Sequence, residues 1–238
     1  FKERQVLRHI NLSVADGETL VIIGGSGSGK STLLRLMVGL IAPTSGEIWI
    51  DAQEISRMKE EALDQVRLKM GMVFQYSALF DSMTVGDNVA FGLREHTDYS
   101  EEKIRRIVAE KLALVGLSGV ENMMPSELSG GMKKRVGLAR AIAFEPSIIF
   151  YDEPDSGLDP VMTGKIDELI RTMQRQLGVT SVVVTHDMES AFLVGDRIAM
   201  VYEGEIIADE TAEDFRRLQD PRVRAFLRGL AADKEAKA

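Results

Sequence analysis

The stretch Gly24-Gly25-Ser26-Gly27-Ser28-Gly29-Lys30-Ser31-Thr32 constrains this chain more than any other. It follows the apolar run Leu20-Val21-Ile22-Ile23, which reads as a buried strand, and precedes Leu33-Leu34-Arg35-Leu36-Met37-Val38, which reads as a helix. A strand, a glycine-rich turn and Gly-Lys-Ser at a helix start form the context of a phosphate-cradling P-loop. Glycines let the backbone wrap close to a phosphate with no Cβ in the way. The bared N–H groups at the helix start, aided by the helix dipole, attract the anion. In such a loop Lys30 reaches the β- and γ-phosphates, and the Ser31 hydroxyl is a ligand for Mg²⁺. The expectation is therefore nucleotide binding.

The rest of the pattern is α/β. Strands are expected at residues 9–14, 47–51, 71–75, 147–151 and 180–185, and a hairpin joins 197–202 to 205–208 across Glu203-Gly204. Helices are expected at 59–68, 161–177 and 188–194, with Gly178 ending the second. Between residues 76 and 144 the character changes, and helical patterns dominate at 85–93, 101–115 and 132–144, with Ser100 as an N-cap. This predicts a nucleotide-binding α/β core from 1–75 and 145–210, a helical subdomain inserted at 76–144, and a helical extension at 211–238. Apolar strands alternating with helices imply a mostly parallel sheet covered on both faces.

Composition narrows the function classes. The net charge of −8 argues against a general nucleic-acid binder, whose affinity rests on a basic surface. There is no Cys, hence no disulfide and no thiolate metal site. No run approaches the ~18 apolar residues of a membrane span. The chain opens on Phe1 rather than Met, which points to residues upstream.

Chemistry concentrates at strand ends. Ile148-Ile149-Phe150-Tyr151-Asp152-Glu153 puts two carboxylates at the C-terminal end of a buried strand, the end that faces the ligand crevice in open α/β sheets. Asp152 suits a Mg²⁺ shell, and Glu153 suits a base that takes a proton from an attacking water. His186 follows the strand at 182–184 and shares that edge, where it could sense a γ-phosphate. His9 and His96 have no such context and read as structural. Ser129-Gly130-Gly131 opens the helix Lys133-Lys134-Arg135-Val136, a second anion cradle; taken alone, the segment would read instead as a plain capped helix with a solvated Lys-Lys-Arg face. Two unlike phosphate sites in one chain suggest a two-fold dimer in which each P-loop faces the partner's second cradle.

These motifs together resemble the ATPase subunit of ABC transporters, in that family's order and over nearly all of residues 1–210. Residues 24–32 resemble the Walker A motif and Gln75 the Q-loop glutamine. Leu128-Ser129-Gly130-Gly131-Met132 resembles the signature motif, residues 148–153 Walker B, Ser156-Gly157-Leu158-Asp159 the D-loop, and His186 the switch histidine. Phe1 lies where the family stacks an aromatic ring on adenine. The finer resemblance is to the Mla/Mce-type lipid transport ATPases. It is carried by Met132 in place of the usual signature glutamine, Leu93-Arg94-Glu95-His96-Thr97, Ala78-Leu79-Phe80-Asp81-Ser82-Met83 and Met124-Pro125-Ser126-Glu127.

The resemblance implies a peripheral ATPase on the cytoplasmic face of the inner membrane. It implies ATP and Mg²⁺, with Ser31, Gln75 and Asp152 around the metal, and a homodimer under an MlaE-like permease. It further implies an MCE-domain protein and a small STAS-domain subunit as partners, and phospholipid as cargo. Residues 75–83 and the helical subdomain would grip the permease. The competing readings are the ATPase of a small-solute importer and, further off, a non-transport ABC ATPase.

At the C-terminus, Asp220-Pro221 reads as a helix start, and Val223, Phe226, Leu227 and Leu230 form one apolar stripe at i, i+3, i+4 and i+7. A short isolated helix is marginal in water. The stripe is therefore expected to dock on the partner ATPase or an accessory subunit.

Overall fold

A computed structural model describes residues 5–235. Phe1, proposed to stack on adenine, lies outside the described residues. Strand β1 (Thr19–Ile23) is buried at every position. Its alternating side chains feed two different cores: Val21 and Ile23 join one apolar cluster, Leu20 and Ile22 another. That is the two-residue period of a strand covered on both faces. The chain continues through α1 (Lys30–Met37), a short hairpin β2 (Trp49–Ile50) and β3 (Gln53–Glu54), α2 (Glu60–Arg67) and β4 (Met70–Val73). Three helices follow, α3 (Val85–His96), α4 (Glu101–Leu114) and α5 (Gly130–Ala141). Then come β5 (Ile148–Asp152), α6 (Pro160–Leu177), β6 (Thr180–Val184), α7 (Met188–Val194), β7 (Arg197–Tyr202), β8 (Glu205–Thr211), α8 (Ala212–Phe215) and α9 (Pro221–Glu235).

Among the described residues, six strands form one sheet in the order β4-β5-β6-β1-β7-β8, parallel except for the edge pair β7–β8. Leu33, Leu34 and Val38 cover the Leu20 face. The opposite core is continuous from α6 and α7 through α3, α4 and α5, with Ile170, Val194, Val89, Leu112 and Val136 all fully or nearly fully buried. The helix boundaries follow local chemistry. The Thr84, Ser100 and Ser129 hydroxyls accept from Asp87, Lys103 and Met132 N–H groups at the starts of α3, α4 and α5. The α6 helix ends at Gly178 with φ 65°, a left-handed cap. Buried Asn88 ties the 80–84 loop to α3, accepting from Phe80 N–H and donating to the Phe80, Met83 and Thr84 carbonyls.

Three expectations are corrected. Residues 9–14 form no strand. Ile10, Leu12 and Val14 do pack on the Leu20 cluster, but His9 turns at φ 52°, and the segment is held by single contacts such as Arg197 donating to the Ser13 carbonyl. Alternation reports a half-buried face; it does not supply a ladder partner. The strand expected at 47–51 shortens to two residues and returns as β3 through Asp51 and Ala52, both at positive φ. No Gly marks that turn, so its usual signal was missing.

The third correction concerns α9. Asp220 does cap it, accepting from Arg222 N–H. However, Val223 is 0% exposed inside the chain's own main core, and Phe226 and Leu227 pack against the same cluster beside Phe215 and Leu218. Val223, Phe226 and Leu227 dock on their own chain because the turn before them already offers an apolar surface, while the side chain of Leu230, the fourth residue of the stripe, lies outside those described. Truncation after Gln219 is expected to cost about 3 kcal/mol of burial. Calorimetry of the isolated chain should read this as a melting temperature lower by about 6–12 °C. An unchanged melting temperature would place α9 outside the cooperative fold.

Candidate nucleotide site

The P-loop leaves β1 at Gly24, whose φ of 152° and surroundings demand glycine: a Cβ there would lie 2.2 Å from the Val201 carbonyl oxygen. Gly29, at φ 110°, caps α1 without any side-chain hydrogen bond, and its Cβ would meet Leu7 at 2.6 Å. The first N–H groups of α1 are thus uncapped by the chain's own side chains. Gly25, Ser26 and Gly27 are exposed, Thr32 is half-buried within α1, and the buried Ser28 hydroxyl has no hydrogen-bond partner. Lys30 is only 8% exposed and spans the loop, its Nζ donating to the Gly24 carbonyl at 2.8 Å and the Gly25 carbonyl at 3.1 Å. Burial pushes the Lys30 ammonium down, while Glu153 and then Asp152 act to hold its proton.

Parallel pairing of β1 with β6 and of β6 with β5 brings three strand ends to one edge, with Ile22 and Asp152 both in register with Val184. Asp152 Oδ1 lies 3.5 Å from the Ser31 hydroxyl. Burial pushes the Asp152 carboxyl up, and neighbouring Glu153 adds to the shift against weaker opposition from Arg35, Ser31 and Lys30. Two carboxylates crowded at a buried edge favour a cation between them and the loop.

Glu153 sits at φ 45°, the left-handed region that non-glycine residues seldom adopt. Its N–H donates to the Val184 carbonyl at 2.8 Å. Its carboxylate is held from two sides: Gln75 Nε2 donates to Oε2 at 2.9 Å, and His186 Nδ1 lies 3.6 Å from Oε1. Gln75 also donates to the Ser156 hydroxyl at 3.2 Å. The His186 side chain is 58% exposed. Lys30, Ser31, Gln75, Asp152, Glu153 and His186 therefore belong to one neighbourhood.

Ser129, Gly130 and Gly131 do not join it within the chain. The Ser129 hydroxyl caps Met132 N–H at 3.3 Å, and Ser129 and Gly130 face solvent. Among the described residues, no hydrogen bond or ion pair links this cradle to the P-loop. The Met132 side chain packs on the main core.

Sequence reasoning missed Lys134. The Lys-Lys-Arg run read as solvated, yet Lys134 is 6% exposed and donates to the Gln75 carbonyl and, at 3.4 Å, to the Glu153 carbonyl. Arg135 is also engaged, donating to the Val115 and Gly116 carbonyls. A signal was present: Gly131, Lys134, Leu138 and Ala141 recur at helical spacing and share the buried face of α5.

The profile of the ABC transporter family matches residues 7–156. The chain belongs to the ABC transporter family. The protein called "Intermembrane phospholipid transport system ATP-binding protein MlaF" in Haemophilus influenzae is 45% identical over 95% of this chain and 86% of its own length. The "Probable ribonucleotide transport ATP-binding protein mkl" of Mycobacterium tuberculosis is 43% identical over 96% of this chain and 64% of its own length. Among solved structures, a dimeric ATP-binding cassette in a post-hydrolysis state with ADP and Pi superposes with a TM-score of 0.81. It is 36% identical and covers 87% of this chain and 90% of that one. The chain is thus an ABC ATPase, an ATP-binding and ATP-hydrolysing subunit of a transporter, built on a P-loop α/β core with inserted helices.

Proposed function

We propose that this ABC ATPase powers phospholipid movement between membranes. The observation that carries the reading is the 45% identity to MlaF along 95% of the chain. The loop N–H groups from Gly25 to Ser31 wrap the phosphates, helped by the uncapped start of α1. Lys30 exchanges the Gly24 and Gly25 carbonyls for phosphate oxygens, an exchange its buried, partly desolvated ammonium favours. Glu153 accepts the proton of the attacking water. Gln75 holds one carboxylate oxygen of Glu153, and His186 meets the γ-phosphate from the other side.

Ser31, Asp152 and Gln75 suit a Mg²⁺ ion. They offer one carboxylate and two neutral oxygens, the sparse donor set of a metal that is otherwise held by phosphates and water. When bound, the ion neutralises charge on the phosphate oxygens.

Two copies of the chain pair so that Ser129, Gly130 and Gly131 of one meet the nucleotide on the other's P-loop. Among the described residues no helix is long and apolar enough to cross a membrane. On its likeness to MlaF, the assembly takes an MlaE-like permease, with an MCE-domain protein and a STAS-domain subunit, and the ATPase lies peripherally on the cytoplasmic face of the inner membrane. The helical subdomain at 76–144 and the loop at 75–83 grip the permease. In support, Phe80 and Phe91 form a half-exposed, tilted ring pair with centroids 5.0 Å apart, and Tyr76, near Phe80 in sequence, is 86% exposed. Residues 1–75 and 145–210 act as the nucleotide core and 211–238 as an extension of it.

The name of the mycobacterial relative offers ribonucleotide as a second cargo class. Purification of the intact transporter from its own membrane, followed by reconstitution between labelled vesicles, separates the two. ATP-dependent phospholipid transfer is expected, with an MCE-domain protein in the complex. Ribonucleotide uptake with no lipid transfer would overturn the reading.

A further inference from the structure

We infer that Lys134 is a positioning residue for Glu153: its buried ammonium joins the main chain of Glu153 to that of Gln75 and to helix α5, and so aims the carboxylate. The inference rests on the reading of Glu153 as the base. Lys134 lies on α5, five residues beyond the Ser129 N-cap. Its Nζ donates to the carbonyls of two residues whose side chains already bond to each other, Gln75 Nε2 to Glu153 Oε2 at 2.9 Å. Backbone and side chain thus close a ring around one ammonium.

Two features make that ring more than packing. Glu153 occupies a left-handed backbone conformation that costs energy for any residue with a Cβ, and such conformations persist only where the surroundings over-determine them. Lys134 supplies part of that determination: the Glu153 carbonyl accepts from Ser156 N–H on one side and from Lys134 on the other. The second feature is chemical. Burying an ammonium is unfavourable unless it is partnered, and an apolar side chain of the same length would fill the space without that cost. Burial does push the Lys134 ammonium down, against the opposing pull of Asp155 and Glu153. What lysine adds over an isosteric methionine is a set of donors placed where two carbonyls converge.

The same helix grips the rest of the loop. Arg140 donates to the Ser77 carbonyl at 2.8 Å and to the Ala78 carbonyl at 2.6 Å, and Ser77 and Ala78 both sit at positive φ. Residues 75 to 78 therefore ride on α5, and the helix that opens at Ser129 also sets the position of the base within its own chain.

The test uses the assembled transporter carrying K134M, K134R or E153Q, with ATPase kinetics and binding of a fluorescent ATP analogue. For K134M, kcat is expected to fall by about 10–100-fold, the scale on which small misplacements act. The KM for ATP and the analogue's Kd should stay within about 2-fold, because the P-loop is untouched. K134R keeps the donors and is expected to recover most of kcat. If K134M does not assemble, K134A, which also lacks a donor, carries the test: lowered kcat at unchanged KM supports the inference, and wild-type kcat overturns it. Wild-type kcat in K134M, or equal losses in K134M and K134R with weakened ATP binding, overturns the role of Lys134. E153Q separates the two readings. A dead E153Q beside a fully active K134M removes only Lys134, whereas an active E153Q removes the base and this inference with it.

Discussion

Replacing Glu153 by Gln is expected to leave ATP binding intact while turnover falls by roughly 10²–10⁴-fold, the range of a positioned general base. The substitution keeps the shape and can still accept from Gln75 Nε2 through its amide oxygen. It removes the proton acceptor, and it also removes a negative charge beside Asp152, whose carboxyl Glu153 helps to push up. Binding of an anionic nucleotide should therefore hold or tighten. With hydrolysis blocked and binding favoured, ATP should trap the two-fold assembly. Size-exclusion chromatography should then show an ATP-dependent dimer in E153Q that the wild-type chain holds only transiently. Near-normal hydrolysis by the purified complex would take Glu153 out of the role.

The parts of this molecule that were legible in the sequence are those whose chemistry is local. The run from β1 through the P-loop to α1 is one contiguous segment, and its glycines follow from the turn itself: Gly24 and Gly29 have no room for a Cβ. Caps at Ser100 and Ser129 and the stop at Gly178 are also local, and they fall at the element ends. The strand ends carrying Asp152, Glu153 and His186 share an edge because alternating apolar strands and helices force a parallel sheet. What was not legible depends on partners far along the chain. The alternation at residues 9–14 marks a buried face but finds no strand to pair with. Val223 is buried because Phe215 and Leu218 stand beside it. Lys134 reads as one of three surface cations until the carbonyl of Gln75, 59 residues away, is seen to meet it.

The two phosphate cradles make the other large prediction. Ser129 and Gly130 face solvent at the start of a twelve-residue helix, and no hydrogen bond among the described residues ties them to their own P-loop. If each cradle serves the partner's nucleotide, Ser129→Arg spoils the opposite site, through bulk and misplaced charge, while leaving its own P-loop able to bind. The loss of the cap to Met132 N–H costs only about 1 kcal/mol, so the chain should still fold. Lys30→Ala has the complementary lesion, removing the ammonium from its own loop. In a dimer of the two variants, one site carries both lesions and the other is intact. Each variant alone should be inactive, and an equal mixture should recover about a quarter of wild-type turnover if chains pair at random and sites work singly. Because the chain has no Cys, a crosslink can be placed without background. Ser129→Cys pairs best with Ser26→Cys, since neighbouring Gly27 sits at φ 73° and would be strained by a side chain. ATP-dependent crosslinking with no recovered turnover would mean that both sites must work together. Neither crosslinking nor recovery would overturn the assignment in trans.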